Sequence, residues 1–190
     1  MKEGFQMCKQ YATLLVIVLL CGCTSPIEKL TDKYYVLNEE DENKLDGPYK
    51  VKDVSPNTIL VEKDKKEIKI ILRGCIPTND PKINSEAESG LGSLIDNDAY
   101  LLRDSVVWLN SKEAKAIVYK PANRVWIGHD ENGKDIFRNL SYRLPQLIRF
   151  TYGQSLLDHS DTDYPLYEVF KEAEKLAKEN KKGYWATHPE

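Results

Sequence analysis

Cysteine is nearly missing from the body of this chain. Of the four in 190 residues, Cys8, Cys21 and Cys23 fall within the first 23 positions, and only Cys75 lies beyond them. Histidine is also scarce: His129, His159 and His188 are scattered, and no His or Cys pair has the spacing of zinc ligands. Neither sign of charge dominates, since 27 Lys and Arg face 30 Asp and Glu for a net of −3. That balance excludes a general electrostatic attraction to polyphosphate. Internal repeats and low-complexity tracts are absent. One unbroken apolar run exists, Leu14-Leu15-Val16-Ile17-Val18-Leu19-Leu20, and it is well short of the roughly 18 to 20 residues needed to cross a bilayer.

That run sits in a recognisable context. Lys2 and Lys9 precede it as a positive segment, and Leu20-Cys21-Gly22-Cys23 follows, with a small residue just before a cysteine. This pattern predicts a lipoprotein signal over residues 1–22, with Cys23 as the lipidated first residue of the mature chain. Two acyl chains already give stable anchoring at about 0.8 kcal/mol per buried methylene. The protein is therefore expected on a bacterial envelope membrane, and Thr24 after the lipid cysteine favours the outer membrane in a two-membrane cell. Processing removes one net positive charge, which takes the formal net from −3 to −4. It also leaves Cys75 as the single free thiol, so no intramolecular disulfide can form.

Residues 23–47 read as a solvated tether with the acidic run Glu39-Glu40-Asp41-Glu42. Residues 48–186 read as one compact domain of ordinary size. Tyr49-Lys50-Val51-Lys52, Thr58-Ile59-Leu60-Val61 and Ile68-Lys69-Ile70-Ile71-Leu72 alternate as a three-strand meander, with Ser55-Pro56-Asn57 at the first turn. A polar connection over residues 75–97 leads to Asp98 as an N-cap. Leu101, Leu102, Ser105, Val106 and Leu109 then predict a helix. Residues 116–119 and 124–127 predict two more strands, the second turning back at Glu131-Asn132-Gly133, for five in all. Pro145 opens a short helix that Gly153 ends. The stripe Leu166, Val169, Phe170, Ala173, Leu176 and Ala177 predicts a last helix, supported by Glu174 and Lys178 four residues apart and capped by Gly183 ahead of Tyr184-Trp185.

This order resembles the staphylococcal-nuclease (thermonuclease) family across residues 48–185. The segment from Ile70 to Pro77 resembles the family's V-R-L-x-G-I-D-A-P-E. Residues 99–119 resemble its helix and following strand, and residues 171–185 resemble its C-terminal helix with the closing G-x-W. The resemblance implies an α+β fold, a five-stranded OB-type β-barrel with about three helices. It also implies an ancestry of phosphodiester hydrolysis with Ca²⁺. That chemistry needs anionic oxygens for the metal, a carboxylate to activate water, and arginines to neutralise the phosphorane.

Carried over by position, those parts are missing. The family's D-G-D-T turn falls on Ser55-Pro56-Asn57-Thr58, so a metal carboxylate becomes the amide of Asn57 while Thr58 remains. Its D-x-P-E falls on Cys75-Ile76-Pro77-Thr78, which puts Cys75 at the second aspartate and Thr78 at the base. Ile70 stands where the strand arginine belongs; Lys69 and Arg73 flank it, but a one-residue slip turns a side chain to the other face of a sheet. Arg124 is the nearest candidate for the second arginine. Losing a general base costs roughly 10² to 10⁴ in rate, and losing metal stabilisation several kcal/mol more.

The remaining candidates are weaker. Asp158, Ser160, Asp161 and Asp163 lack EF-hand spacing and read as a solvated acidic loop. Cys75 has no local His to activate it and reads as a small buried residue at a strand end. Trp108, Trp126 and Trp185 are expected in or over the core, and Lys63, Lys65 and Lys66 form one small basic turn. The sequence thus predicts a membrane-anchored, catalytically inactive thermonuclease-like module for envelope binding or scaffolding, with no cofactor and no metal. A Ca²⁺-dependent phosphodiesterase with a rearranged site and a nucleic-acid-binding module are the alternatives. Its partners would be the membrane through the anchor, with nucleic acid or an envelope protein beyond it. Cys23→Ser should abolish lipidation, read by metabolic labelling with a fatty-acid analogue; equal label in the variant would overturn the assignment.

Overall fold

Alternation of buried and exposed side chains governs the first half of the domain. The computed structural model describes residues 36–38 and 43–189, with the side chains of residues 36–38, 123–124 and 137–140 left out. The signal, Cys23 and most of the expected tether lie outside the described residues. Strand β1 is Val36–Asn38 and β2 is Leu45–Ser55, so regular structure begins ahead of the expected domain start at residue 48. Strands β3, Thr58–Lys63, and β4, Lys66–Leu72, complete the meander read from the sequence. Val51, Ile59, Val61 and Ile70 point into the core. Asp64 and Lys65 both adopt positive φ, 52° and 62°, as a two-residue turn matched to strand twist demands.

Strand β5 is Cys75–Ile76, and helix α1 follows at Pro81–Gly92, within the stretch expected to be a connection. Its signals are local. The Asp80 side chain accepts the N–H of Lys82 at 2.8 Å and that of Ile83 at 3.4 Å, Pro81 occupies the first turn, and Ile83, Ala87 and Leu91 form the buried stripe. The helix expected after Asp98 is not there. That segment is strand β6, Asp98–Leu102, then a 3₁₀ turn, Arg103–Ser105, then β7, Val107–Asn110. Leu101, Leu102, Ser105 and Val106 fit a helical period, but Ala99 and Leu101 also fit a period of two, and pairing with β2 decides between them.

Strand β8 is Glu113–Ala116 and β9 is Val118–His129; β10, Asp135–Arg143, was not foreseen and returns from the expected turn. Helix α2, Pro145–Thr151, matches the expectation. Beyond it, Gly153 at φ +63° lets the Lys182 carbonyl approach to 2.3 Å from where a Cβ would stand. Strand β11 is Leu156–Leu157, pairing with β5, and α3 is Tyr167–Glu179. Lys181, at φ +50°, takes the left-handed conformation just past α3, and Gly183, at φ +51°, takes it again two residues on. In total the described residues form eleven strands and three α-helices of a mixed α+β fold. Nine strands make one open sheet in the order β1-β10-β9-β6-β2-β3-β4-β8-β7, with β4 and β8 parallel.

Helices α2 and α3 cover one part of this sheet through Phe150 and Phe170, whose ring centroids lie 4.9 Å apart. Trp185 is buried as expected, but Trp108 and Trp126 are 51% and 53% exposed on β7 and β9, not core. Phe170 is fully buried, and Phe170→Ala should destabilise the protein by about 3 to 5 kcal/mol. Urea unfolding followed by circular dichroism measures this; an unchanged midpoint would mean that α3 is held by something else.

Candidate functional site

The residues singled out in the sequence separate into those the fold draws together and those it sends elsewhere. The Pro56-Asn57 turn and Cys75 meet around a residue that drew no attention in the sequence, Arg149 of α2. Its Nη2 donates to the Pro56 carbonyl. Its Nε and Nη1 are buried with no hydrogen-bond partner. The Asn57 carbonyl accepts the Leu72 N–H at 2.8 Å, which fixes the turn over the end of β4. Thr58 pairs with Ile71 in the sheet, and its hydroxyl meets that of Ser55.

Cys75 is buried beside Arg149 and Ser155. Burial pushes its thiol up to about 11, opposed by the Arg149 guanidinium and by the Ser155 hydroxyl. Ser155 Oγ approaches the thiol without reaching full hydrogen-bond geometry. Burial likewise pushes Arg149 below its ordinary value. The centre is thus a neutral thiol, a hydroxyl and a guanidinium that no carboxylate compensates.

Thr78 faces away, into α1. Its Oγ1 contacts the Asn84 Oδ1 at 3.1 Å, and its N–H donates to the same oxygen at 2.9 Å, while Asn84 Nδ2 returns a bond to the Thr78 carbonyl at 2.8 Å. This clasp closes the first turn of the helix. Ile70 is fully buried in the core. Arg124 belongs to the β9–β10 hairpin, opposite Asn139.

The flanking cations are also occupied. Lys69 pairs with Glu113 at 2.9 Å on the surface. Arg73 is buried and holds Asp161 through two bonds, Nε to Oδ2 at 2.9 Å and Nη2 to Oδ1 at 2.8 Å, and it donates to the Ser105 and Asp163 carbonyls. The loop read as solvated is therefore pinned by Asp161. Gly74, at φ +80°, admits the Tyr164 hydroxyl to 2.2 Å from where a Cβ would stand.

The Ca²⁺ that the nuclease resemblance implies does not fit these residues. A hard cation selects anionic oxygens, and here it would meet a neutral thiol and a guanidinium of its own sign. Among the described residues no group of three or more His, Cys, Asp and Glu side chains is arranged to hold a metal ion, and no helix is long and apolar enough to cross a membrane. No protein-family model matches the chain, and no curated protein is similar to it.

Arg149 could not be found from spacing, because a cation in a short helix carries the pattern of a surface residue until the fold buries it. The Cys75 shift has a measurable consequence. A group whose folded pKa is raised keeps its proton after the unfolded chain has lost it, so its contribution to stability is complete below the ordinary value of 9.0 and is lost as the pH rises through about 11. The stability gap between the native protein and Cys75→Ala should narrow over that window in urea titrations. A constant gap would refute the shift.

Proposed function

We propose that this chain is a thermonuclease-like, lipid-anchored envelope protein that has lost the inherited hydrolytic centre and serves as a binding or scaffolding module. The observation that carries this reading is the neutral Cys75, at a position where the resemblance expects a metal carboxylate, with the buried Arg149 guanidinium beside it. A fixed cation there opposes a divalent metal, and neither the Thr78 clasp nor the buried Ile70 supplies a base or an arginine.

The OB-type barrel is part of the same proposal, and the strand pairings support it. Strand β2 pairs with β3, β3 with β4, and β4 with β8 in parallel. One residue beyond β8, the chain enters β9, where Val118 and Tyr119 pair with Leu101 and Tyr100 of β6, and β6 returns to β2. This circuit of five pairings, jointed at Ile117, is what a small, partly open five-stranded barrel requires. Helix α1, lying between the meander and β6, fits the same reading.

Binding rather than catalysis is favoured by what the surface presents. Val107, Trp108 and Leu109 are exposed together on β7, an edge of the sheet. Val125, Trp126, Ile127 and Ile136 are exposed on the β9–β10 hairpin. Large apolar side chains exposed on an edge strand are candidates for a partner contact, and an edge strand offers its backbone groups to a partner strand. The formal charge of −4 after processing favours an envelope protein over nucleic acid.

The full-length protein in neutral detergent should leave single-stranded DNA and RNA intact in millimolar Ca²⁺. Robust Ca²⁺-dependent cleavage that is lost in Arg124→Ala would overturn the proposal and establish the rearranged phosphodiesterase instead.

A further inference from the structure

Strand β7 is Val107-Trp108-Leu109-Asn110, four residues without a charge or a proline, and all four are exposed. It ends the nine-stranded sheet, paired on one side with β8 and, among the described residues, with no strand on the other. Open edges are ordinarily protected by lysine, by proline or by a bulge. Within β7 a register shift between Trp108 and Asn110 is the one such device, and it limits further pairing to a few residues.

The two ends of β7 differ in charge. At its start lies a groove lined by Val106, Val107 and Tyr164 and by Asp104 and Asp163; the one cation lining it, Arg73, already holds Asp161. At its end the Ser111-Lys112 turn borders a groove lined by Lys65, Lys66, Lys69 and Lys112 against Glu62 and Glu67. Asp104 and Lys112 are both exposed, and among the described residues neither has an ion-pair partner. A strand that is apolar in its middle, acidic before and basic after complements itself when a second copy is turned end for end.

We infer that β7 is a self-association edge, which pairs antiparallel with β7 of a second copy of this chain about a two-fold axis. Such an axis stands perpendicular to the joined sheet and keeps every side chain on its own face, so in a regular ladder it passes through a residue and not between two. Centred on Trp108, it sets Trp108 opposite Trp108 of the other copy and Val107 opposite Leu109, and it brings Asp104 of each chain level with Lys112 of the other. Centred on Leu109, it would set Trp108 against Asn110. Parallel pairing would bring like charges together at both ends. The contact is small, so association is weak in solution, and two copies anchored in one membrane gain effective concentration. The inference rests on the proposed binding-module function and gives that module its partner.

The test is sedimentation velocity of the full-length protein in density-matched neutral detergent, from about 10 µM to about 500 µM to cover a weak interface. A concentration-dependent monomer–dimer equilibrium is expected. Trp108→Lys, at an exposed position, should leave the circular dichroism unchanged and the protein monomeric. Asp104→Lys and Lys112→Asp should each weaken dimerisation by about three- to tenfold, since an exposed ion pair contributes modestly and a two-fold axis applies each change twice. Combined in one chain, the two exchanges restore opposite charges across the axis, and dimerisation should return toward the native level. A native protein that stays monomeric throughout, a dimer that survives Trp108→Lys, or a double variant no better than the weaker single one overturns the inference. Nuclease assay of the same samples separates the two failures. Ca²⁺-dependent cleavage overturns the binding-module reading whatever the oligomeric state, whereas a monomer without cleavage overturns the self-pairing alone.

Discussion

Arg73 joins the sheet to everything packed around it. Its guanidinium holds Asp161 and the carbonyls of Ser105 and Asp163 and lies against the Tyr164 ring, 5.0 Å from its centroid. Its backbone N–H donates to the Ala116 carbonyl at 2.9 Å, and its own carbonyl accepts Gln146 Nε2 at 3.1 Å. Gln146 in turn accepts the Val118 N–H at 2.8 Å, which spans the break between β8 and β9. A paired buried charge of this kind contributes little net stability, but removing one partner costs roughly 3 to 5 kcal/mol. The interaction therefore acts as a constraint. The 3₁₀ turn, β8, α2 and the loop before α3 must all sit where one guanidinium and its backbone can reach them.

Arg149 obeys the opposite rule, and the contrast separates structure from function. Both arginines are buried, yet Arg73 has its carboxylate and, among the described residues, Arg149 has no ion-pair partner. Satisfied buried charge is ordinary architecture. Unsatisfied buried charge needs a reason. The Arg149 guanidinium borders the Cys75 thiol and donates to the Pro56 carbonyl, which places it beside the positions where the nuclease resemblance expects metal ligands.

The meander and the two C-terminal helices were legible because each carries its own period. Leu147 and Phe150, and Phe170, Ala173 and Ala177, recur at helical spacing, while Val51, Ile59 and Ile70 belong to alternating runs. Helix α1 was not read because Asn84, Ser85, Gly90 and Gly92 dilute its stripe, although Asp80-Pro81 announces its start. The segment from Asp98 to Leu109 fits two periods at once, and only its pairing with β2 excludes the helix. That Asn57, Cys75 and Thr78 are neutral where the resemblance expects acidic residues was visible position by position. The roles those residues now play were not, since the Thr78–Asn84 clasp and the Arg149–Cys75 contact depend on three-dimensional proximity.

The distribution of polarity is then the reverse of what overall charge implies. A chain with a small negative net charge buries the Arg149 guanidinium, while its sheet edge and hairpin expose tryptophan and aliphatic side chains to solvent. Strand β7 combines an edge position with exposed apolar side chains, so a partner strand could meet its backbone and its side chains at once, and neither contact needs a metal or a nucleophile. The exposed apolar side chains of β7 and those of the β9–β10 hairpin are carried by different elements. The Arg73 joint that holds these elements in register takes part in neither, so contact at either surface leaves the joint in place.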